Sequence, residues 1–316
     1  MTTENSNFLT VLRPGLMMTV QDRGRHGLLR FGVSRSGPMD PAAFAVANAL
    51  VGNGDDAAAL EFAYVGGTFS VARPVRIAIT GGDVEMRIGD TKVKAWESHR
   101  LLAGQVVTIG GMRDAVWGYV ATSGGIDIVP VLGAKATHLR TAIGGLEGRV
   151  LAEGDMLPLA EGGTGLPRRL TAIWRRPRGP IRVVPGPQAD HFDQGEWDRF
   201  LGLPFSVSNK RDRMAMMLDG PVVSAAKGHD IVSDGTLSGS IQIPGSGHPL
   251  VLMADRQTTG GYPKIATVAS VDLPRLAQMP RGTAFRFARI SQDAAEALLI
   301  AERRALRQVM GELEAL

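Results

Sequence analysis

Mainly β structure in two domains is what this sequence predicts, from its length, its turn residues and its short β-branched runs. At 316 residues the chain exceeds the size at which a single core usually keeps growing, so two domains are the default expectation. Forty glycines and eighteen prolines punctuate it. Between them stand VRIAIT, QVVTIGG, IRVVPGP, SIQIP, PLVLMA, KIATVASV and AFRFARI. Several of these alternate as half-buried strands do, as with Val75, Ile77 and Ile79, or Phe285 and Phe287 around Arg286. Many short strands with dense turn signals belong to barrels or sandwiches.

Three segments break the strand pattern. In MDPAAFAVANALVGN, Asp40 is placed to cap a helix, Pro41 suits its first turn and Gly52 its stop. QADHFDQGEWDRFL, residues 188–201, reads as a second helix interrupted by Gly195. From Ser291 onward, Leu298, Leu299, Leu306, Val309, Met310 and Leu313 fall near one helical face, a docking tail or partner contact. EGGTGLPRRLTAIWRRPRG, residues 161–179, turns to Gly, Pro and Arg with little strand pattern and reads as a linker. The expected organisation is an N-terminal β domain over 1–165, a C-terminal β domain over 180–290, and a C-terminal helix over 291–316. GVSRSGPMD and GTLSGSIQIP echo each other, and each half has an Asp-Arg pair (QDRGRHG, ADRQTTGG), a weak sign of duplication.

Composition narrows the functions. The net charge is +4, and only six cations are lysines: Lys92, Lys94, Lys135, Lys210, Lys227 and Lys264. The arginines are scattered, without the basic stripe or stacking platform of a nucleic-acid surface. There is no cysteine, which excludes thiol nucleophiles and disulfides and fits a reducing compartment. The start MTTENSNF has no apolar signal core, and no apolar run reaches the ~20 residues of a membrane span; a cytoplasmic protein without membrane attachment is expected. The six histidines are isolated, none pairing at i and i+4, so no metal site is expected. GAKATHLR lacks the end of a phosphate loop, and GVSRSG misses the nucleophile elbow by one position.

What remains is polar side chains set in glycine. TVQDRGRHG carries Gln21, Asp22, Arg23 and Arg25; SGPMD carries Asp40; NKRDRM carries Arg211 and Arg213. MADRQTTGGYP carries Asp255, Arg256, Gln257, Thr258, Thr259 and Tyr262, and the strand SIQIP carries Gln242. Taken singly, each cluster is a tight turn whose Asp and Arg satisfy nearby groups. Taken together they suit a small ligand: glycine admits a close backbone, Arg holds a carboxylate, and Gln or Asp reads an amide or ureido group.

The same clusters resemble the family called allophanate hydrolase subunit 2, KipA-like or biotin-dependent carboxyltransferase. The likeness starts at VLRPGLMMTVQDRGRHGLLRFGVSRSGPMDPAAFAVANALVGN, continues through TSGGIDIVPVLG and GGLEGRVLAEGDMLPL, and returns in RVVPGPQADHF, SNKRDRMAMMLDG and IVSDGTLSGSIQIPGSGHPLVLMADRQTTGGYPKIATVASVDLP. It runs from about residue 8 to 290. The resemblance implies two cyclophilin-like β-barrel domains with a few short helices and a C-terminal helix. It also implies a KipI-like or allophanate hydrolase subunit 1-like partner, with a LamB/YcsF-like protein as a further one.

The activity implied is that of the C subunit of 5-oxoprolinase, in a complex that opens 5-oxo-L-proline to L-glutamate with ATP, the nucleotide held with or by partner subunits. The alternatives are carboxyl transfer from carboxybiotin on a partner to urea or a urea-like amide, and non-catalytic regulation of a KipI-like protein. Under the first reading Arg23, Arg211 or Arg256 would hold the carboxylate, and Asp22, Gln21 or Gln257 would orient the lactam nitrogen. Asp255 or Asp22 would move the proton. Arg25, Asp40, Arg213, Gln242, Thr258, Thr259 and Tyr262 complete the expected substrate-binding set. The chain departs from the family at Ala134-Lys135-Ala136 and at Met216-Met217, where hydroxyls and an arginine are usual.

Overall fold

The computed structural model describes residues 7–172, 174 and 176–316. The polar start over residues 1–6, and Ile173 and Arg175 of the expected linker, lie outside the described residues. The protein is mainly β, with four α-helices among the described residues: α1 (Pro41–Val51), α2 (Gln194–Gly202), α3 (Leu273–Gln278) and α4 (Gln292–Gly311). Two compact units form: unit 1 from Met1–His26, Ser36–Trp174 and Leu306–Leu316, and unit 2 from Gly27–Arg35 and Arg175–Ala305.

Unit 1 packs two antiparallel sheets over one apolar cluster. One sheet has the order Met156–Pro158, Phe8–Arg13, Thr68–Val71, Val106–Met112, Val84–Ile88, Thr91–Val93. The other runs Thr19–Gln21, Ala59–Ala63, Trp117–Thr122, Val75–Thr80, Ser98–Leu101. Leu9, Val11, Phe69 and Val107 of the first meet Val20, Leu60, Phe62 and Ile77 of the second in the core. The alternation expected of Val75, Ile77 and Ile79 gives way to a strand buried at all six positions. The reason is α1, which covers the second face. Thr80 donates to Ala43 O, the Arg76 guanidinium donates to Val51 O at the helix end, and Phe44 meets Tyr119 edge-on at 5.9 Å. Asp40 caps α1 by accepting from Ala43 N, and Gly52 closes it in the left-handed conformation.

Unit 2 is built on one eight-stranded sheet. Its order is Ala284–Phe285, Phe205–Arg211, Ala215–Asp219, Leu250–Leu252, Ser240–Gln242, Lys264–Val268, Ile181–Pro185, Phe287–Arg289. The two edge strands are consecutive in the chain with only Arg286 between them, so the sheet curls back on itself into a nearly closed barrel. Phe200 of α2 stacks on Phe287 at 4.6 Å between centroids and meets Phe205, closing one side of the core. Gly27–Arg35 is tied to this unit by Ser34, which donates to Ala254 O and Arg256 O.

Two local expectations change. The 188–201 segment is a 3-10 turn, Ala189–His191, followed by α2. The break falls at Phe192–Asp193, because Asp193 accepts from Glu196 N and opens a new helix; Gly195 sits harmlessly in its first turn. Leu313 is not on the helical face of α4 but in a strand, Leu313–Ala315, which pairs with Arg168–Leu170 from the segment read as strandless linker. Each strand supplies the ladder the other needs, which neither stretch of sequence shows alone. Among the described residues no helix is long and apolar enough to cross a membrane, and no group of three or more metal-ligating side chains gathers.

Candidate functional site

The expected site residues of unit 1 are held by protein groups. Gln21, fully buried at the end of Thr19–Gln21, donates to Thr19 Oγ1 and Thr137 O, both at 3.1 Å. Both oxygens of Asp22 accept backbone N–H groups, from Gly24 at 2.8 Å and from Lys135. The Arg25 guanidinium reaches Val131 O and Ala136 O. Arg23 is exposed, 3.8 Å from the Asp55 carboxylate. Asp40 caps α1, and its N–H donates to the Tyr119 hydroxyl. Gln21, Asp22 and Arg25 thus fasten the 131–137 segment through its backbone, so the Ala134 and Ala136 departures remove no contact that these residues make.

A cleft of about 550 Å³ in unit 1 is lined by Asp22, Asn53, Asp56, Lys135 and Glu161 among others. Several of its polar groups are already engaged. Lys135 gives its ammonium to Ile126 O and Asp127, while Asn53 donates to Asn48 Oδ1 and Thr122 O and accepts from Gly124 N.

In unit 2, Arg211 caps the C-terminal end of α3 through Ala277 O and Met279 O. Arg213 grips Asp255 with two hydrogen bonds, both side chains buried. Arg256 donates to Thr236 O and Ser238 Oγ. That contact belongs to a strap over residues 231–238. Ile231 N donates to Gly261 O, Thr236 N to Thr258 O, and Asp234–Gly235 pairs antiparallel with Thr259–Gly260. MADRQTTGGYP is therefore largely the seat of this strap. Gln257 and Tyr262 are exposed, Thr258 half-buried.

Beneath the strap's seat, at Gly260, lies an expected residue with both ends of its amide idle. Gln242, fully buried on the Ser240–Gln242 strand, has no hydrogen-bond partner for either its amide oxygen or its amide nitrogen among the described residues. Leaving such a group unmade costs about 1–3 kcal/mol per atom, so a structure that keeps one needs a reason for it. Gly260 crosses directly above: a Cβ there would lie 2.4 Å from Gln242 Nε2 and 3.4 Å from Gln257 Nε2. A side chain at this position of the strap's seat would force Gln242 or the ladder to shift.

Beside it in register stands Lys264, 1% exposed, with its ammonium 3.0 Å from Asp234 Oδ2. The pair is close but off-axis, since the ammonium makes no well-aligned hydrogen bond among the described residues. Asp234 is about half exposed, and Lys264, then Gln188 and the Gly235 N–H, hold its carboxyl below the usual carboxylate range. Gln188 bridges the group, donating to Asp234 Oδ2 and accepting from Lys264 N. Lys264, Asp234, Gln188 and Gly260 are not among the residues that the sequence singles out. A signal exists in Lys264, one of only six lysines, set directly before the β-branched run IATV.

A family model described as "Carboxyltransferase domain, subdomain A and B" matches residues 31–289. The chain belongs to that family. It is 38% identical to the C subunit of 5-oxoprolinase from Escherichia coli (strain K12) over 295 residues, covering 91% of this chain and 93% of that one. It is 35% identical to the C subunit of 5-oxoprolinase from Haemophilus influenzae, covering 88% and 90%. Among solved structures, the urea amidolyase of K. lactis superposes with a TM-score of 0.90 at 26% identity, covering 96% of this chain and 20% of that longer one. Carboxyltransferase domains thus share this mainly β architecture, and the Gln242 site sits inside the matched span.

Proposed function

We propose that this carboxyltransferase-domain chain is the amide-recognising subunit of an ATP-dependent 5-oxoprolinase assembly, which opens 5-oxo-L-proline to L-glutamate. The observation that carries the reading is the buried Gln242 amide with an idle donor and an idle acceptor. A lactam presents one N–H and one C=O side by side, the complement of a primary carboxamide. The 38% identity to a 5-oxoprolinase component along nearly the whole of both chains supports the same substrate. That relative is named as a subunit, which supports partner subunits for this chain; that they are KipI-like and LamB/YcsF-like is what the sequence resemblance implies.

Within the assembly this chain's residues bind and orient. Gln242 reads the lactam edge, Gln257 extends the amide surface at the strap, and the strap keeps water off the bound amide. Asp22 and Asp255 serve as scaffold carboxylates, because each already has both oxygens engaged. The N-termini of α1, α2 and α4 do not suit the phosphates of ATP. Both helices that open on a side-chain carboxylate cap, α1 on Asp40 and α2 on Asp193, set a negative charge where a phosphate would bind. α4 opens on Ser291 with Asp293 in its first turn. The nucleotide is therefore assigned to the partner subunits.

The test is ATP-dependent glutamate release from 5-oxoproline by the purified chain together with its partner subunits. Release that disappears with Gln242→Leu supports the reading; a folded, assembled complex that releases no glutamate overturns it. A second reading, carboxyl transfer from carboxybiotin on a partner to urea, draws on the close superposition with a urea amidolyase. The same carboxamide would address a urea edge, and urea-dependent carboxybiotin consumption would favour it.

A further inference from the structure

We propose that Lys264 is the anchor for the ligand's carboxylate, and that Asp234 occupies that anchor in the ligand-free chain. The inference rests on the lactam reading of Gln242 and extends it. An ammonium is among the costliest groups to bury, and Lys264 is 1% exposed. Among the described residues its charge is met by a single carboxylate, from a side chain about half exposed on a strap rather than from the core. Its three N–H donors find no well-aligned acceptor among the described residues. A structural ion pair in this protein looks different: Arg213 and Asp255 are both buried and joined by two good hydrogen bonds. Lys264 has the geometry of a group whose better partner is elsewhere.

Two cations that the sequence offers for a carboxylate are engaged elsewhere. Arg211 is spent on the end of α3 and Arg256 on Thr236 and Ser238. Lys264 lies opposite Gln242 across the strand pair, so one ligand can present its amide edge to Gln242 and its carboxylate to Lys264. Asp234, already about half exposed, would then turn its side chain out to solvent while the ladder at 234–235 and 259–260 keeps the strap in place. Such a site selects an acidic lactam over a neutral one.

The test is calorimetric titration of the whole 316-residue chain with 5-oxoproline and with 2-pyrrolidinone, the same lactam without its carboxylate. Asp234→Asn keeps the oxygen that accepts from Gly235 but removes the competing charge. It is expected to tighten 5-oxoproline about two- to fivefold, the range of a half-exposed ion pair, and to leave 2-pyrrolidinone unchanged. Lys264→Gln is expected to weaken 5-oxoproline about thirtyfold or more while sparing 2-pyrrolidinone. Should Lys264→Gln fail to fold, Asp234→Asn decides alone. An unchanged or weaker 5-oxoproline affinity in Asp234→Asn, or an unchanged acid-to-neutral preference in Lys264→Gln, overturns the anchor. If Gln242→Leu leaves both lactams binding as before, the lactam reading itself has failed; if the unaltered chain binds neither, both have.

Discussion

Arg213 and Asp255 face each other through two hydrogen bonds, Nε to Oδ2 at 2.8 Å and Nη2 to Oδ1 at 3.0 Å, with 2% and 6% of their side chains exposed. Breaking such a pair strands a buried charge. Asp255→Ala should lower the unfolding free energy of unit 2 by about 3–5 kcal/mol, read from urea denaturation. A loss below about 0.5 kcal/mol would return Asp255 to the groups free for chemistry.

Acid should act through Asp272. Its carboxylate is fully buried and accepts from Arg182 Nε at 2.6 Å, Arg182 Nη2 at 2.8 Å and Arg275 Nη1 at 2.7 Å. Burial alone would raise its pKa, but the bonds from Arg182 and Arg275 outweigh that and hold it below the ordinary value of 3.8. A carboxyl depressed in the folded state contributes stability that is whole above its unfolded pKa and lost as pH falls through the folded one. Denaturation midpoints of unit 2 should therefore hold steady from neutral pH down to about 4 and fall below it. Asp272→Asn should flatten that acid limb and lower stability at neutral pH. An acid limb of unchanged steepness would place the linkage on another carboxylate.

Gln242 makes a prediction of opposite sign. Replacing a buried, idle amide by an apolar side chain of similar size removes a desolvation penalty, so Gln242→Leu should raise stability by about 1–2 kcal/mol while abolishing lactam binding. Thermal unfolding and titration on the same sample check both halves. A destabilised variant would mean that the amide is structural.

Gly260→Ala tests the strap from the other side. The new methyl would stand 2.4 Å from Gln242 Nε2, forcing either the side chain or the ladder to move. The expected cost is about 1–3 kcal/mol of stability, with a loss of glutamate release by the assembled complex larger than that cost explains. Full activity would show that the Thr259–Gly260 segment does not stay against Gln242 during turnover.

Much of the fold was legible, because strands and caps are local. Asp40, Pro41 and Gly52 bound α1 as their chemistry dictates, and the runs around Ile77, Ile241 and Ile265 are strands. Burial on the second face of Val75–Thr80 was not legible, since the helix that covers it, Pro41–Val51, lies well before it in the chain and periodicity sees only one segment. The pairing of Leu313–Ala315 with Arg168–Leu170 joins segments even farther apart. At the site, Gln242 could be singled out by residue type. Lys264 and Asp234 could not be told from a surface lysine and a turn aspartate until register set one beside Gln242 and the strap set the other upon it. Arg211, Arg213 and Arg256 have the right chemistry for an anion, but α3, Asp255 and Thr236 take up their donors. Sequence does not show which groups are already bonded.

The near-closure of the eight-stranded sheet bears on how the protein keeps its own company. Its edge strands, Ala284–Phe285 and Phe287–Arg289, are parted by Arg286 alone, so the row of idle backbone groups that an open sheet offers to passing chains is cut to a few residues around one arginine. Strand-by-strand polymerisation, the standing hazard of a protein this rich in β structure, finds almost nowhere in that sheet to begin.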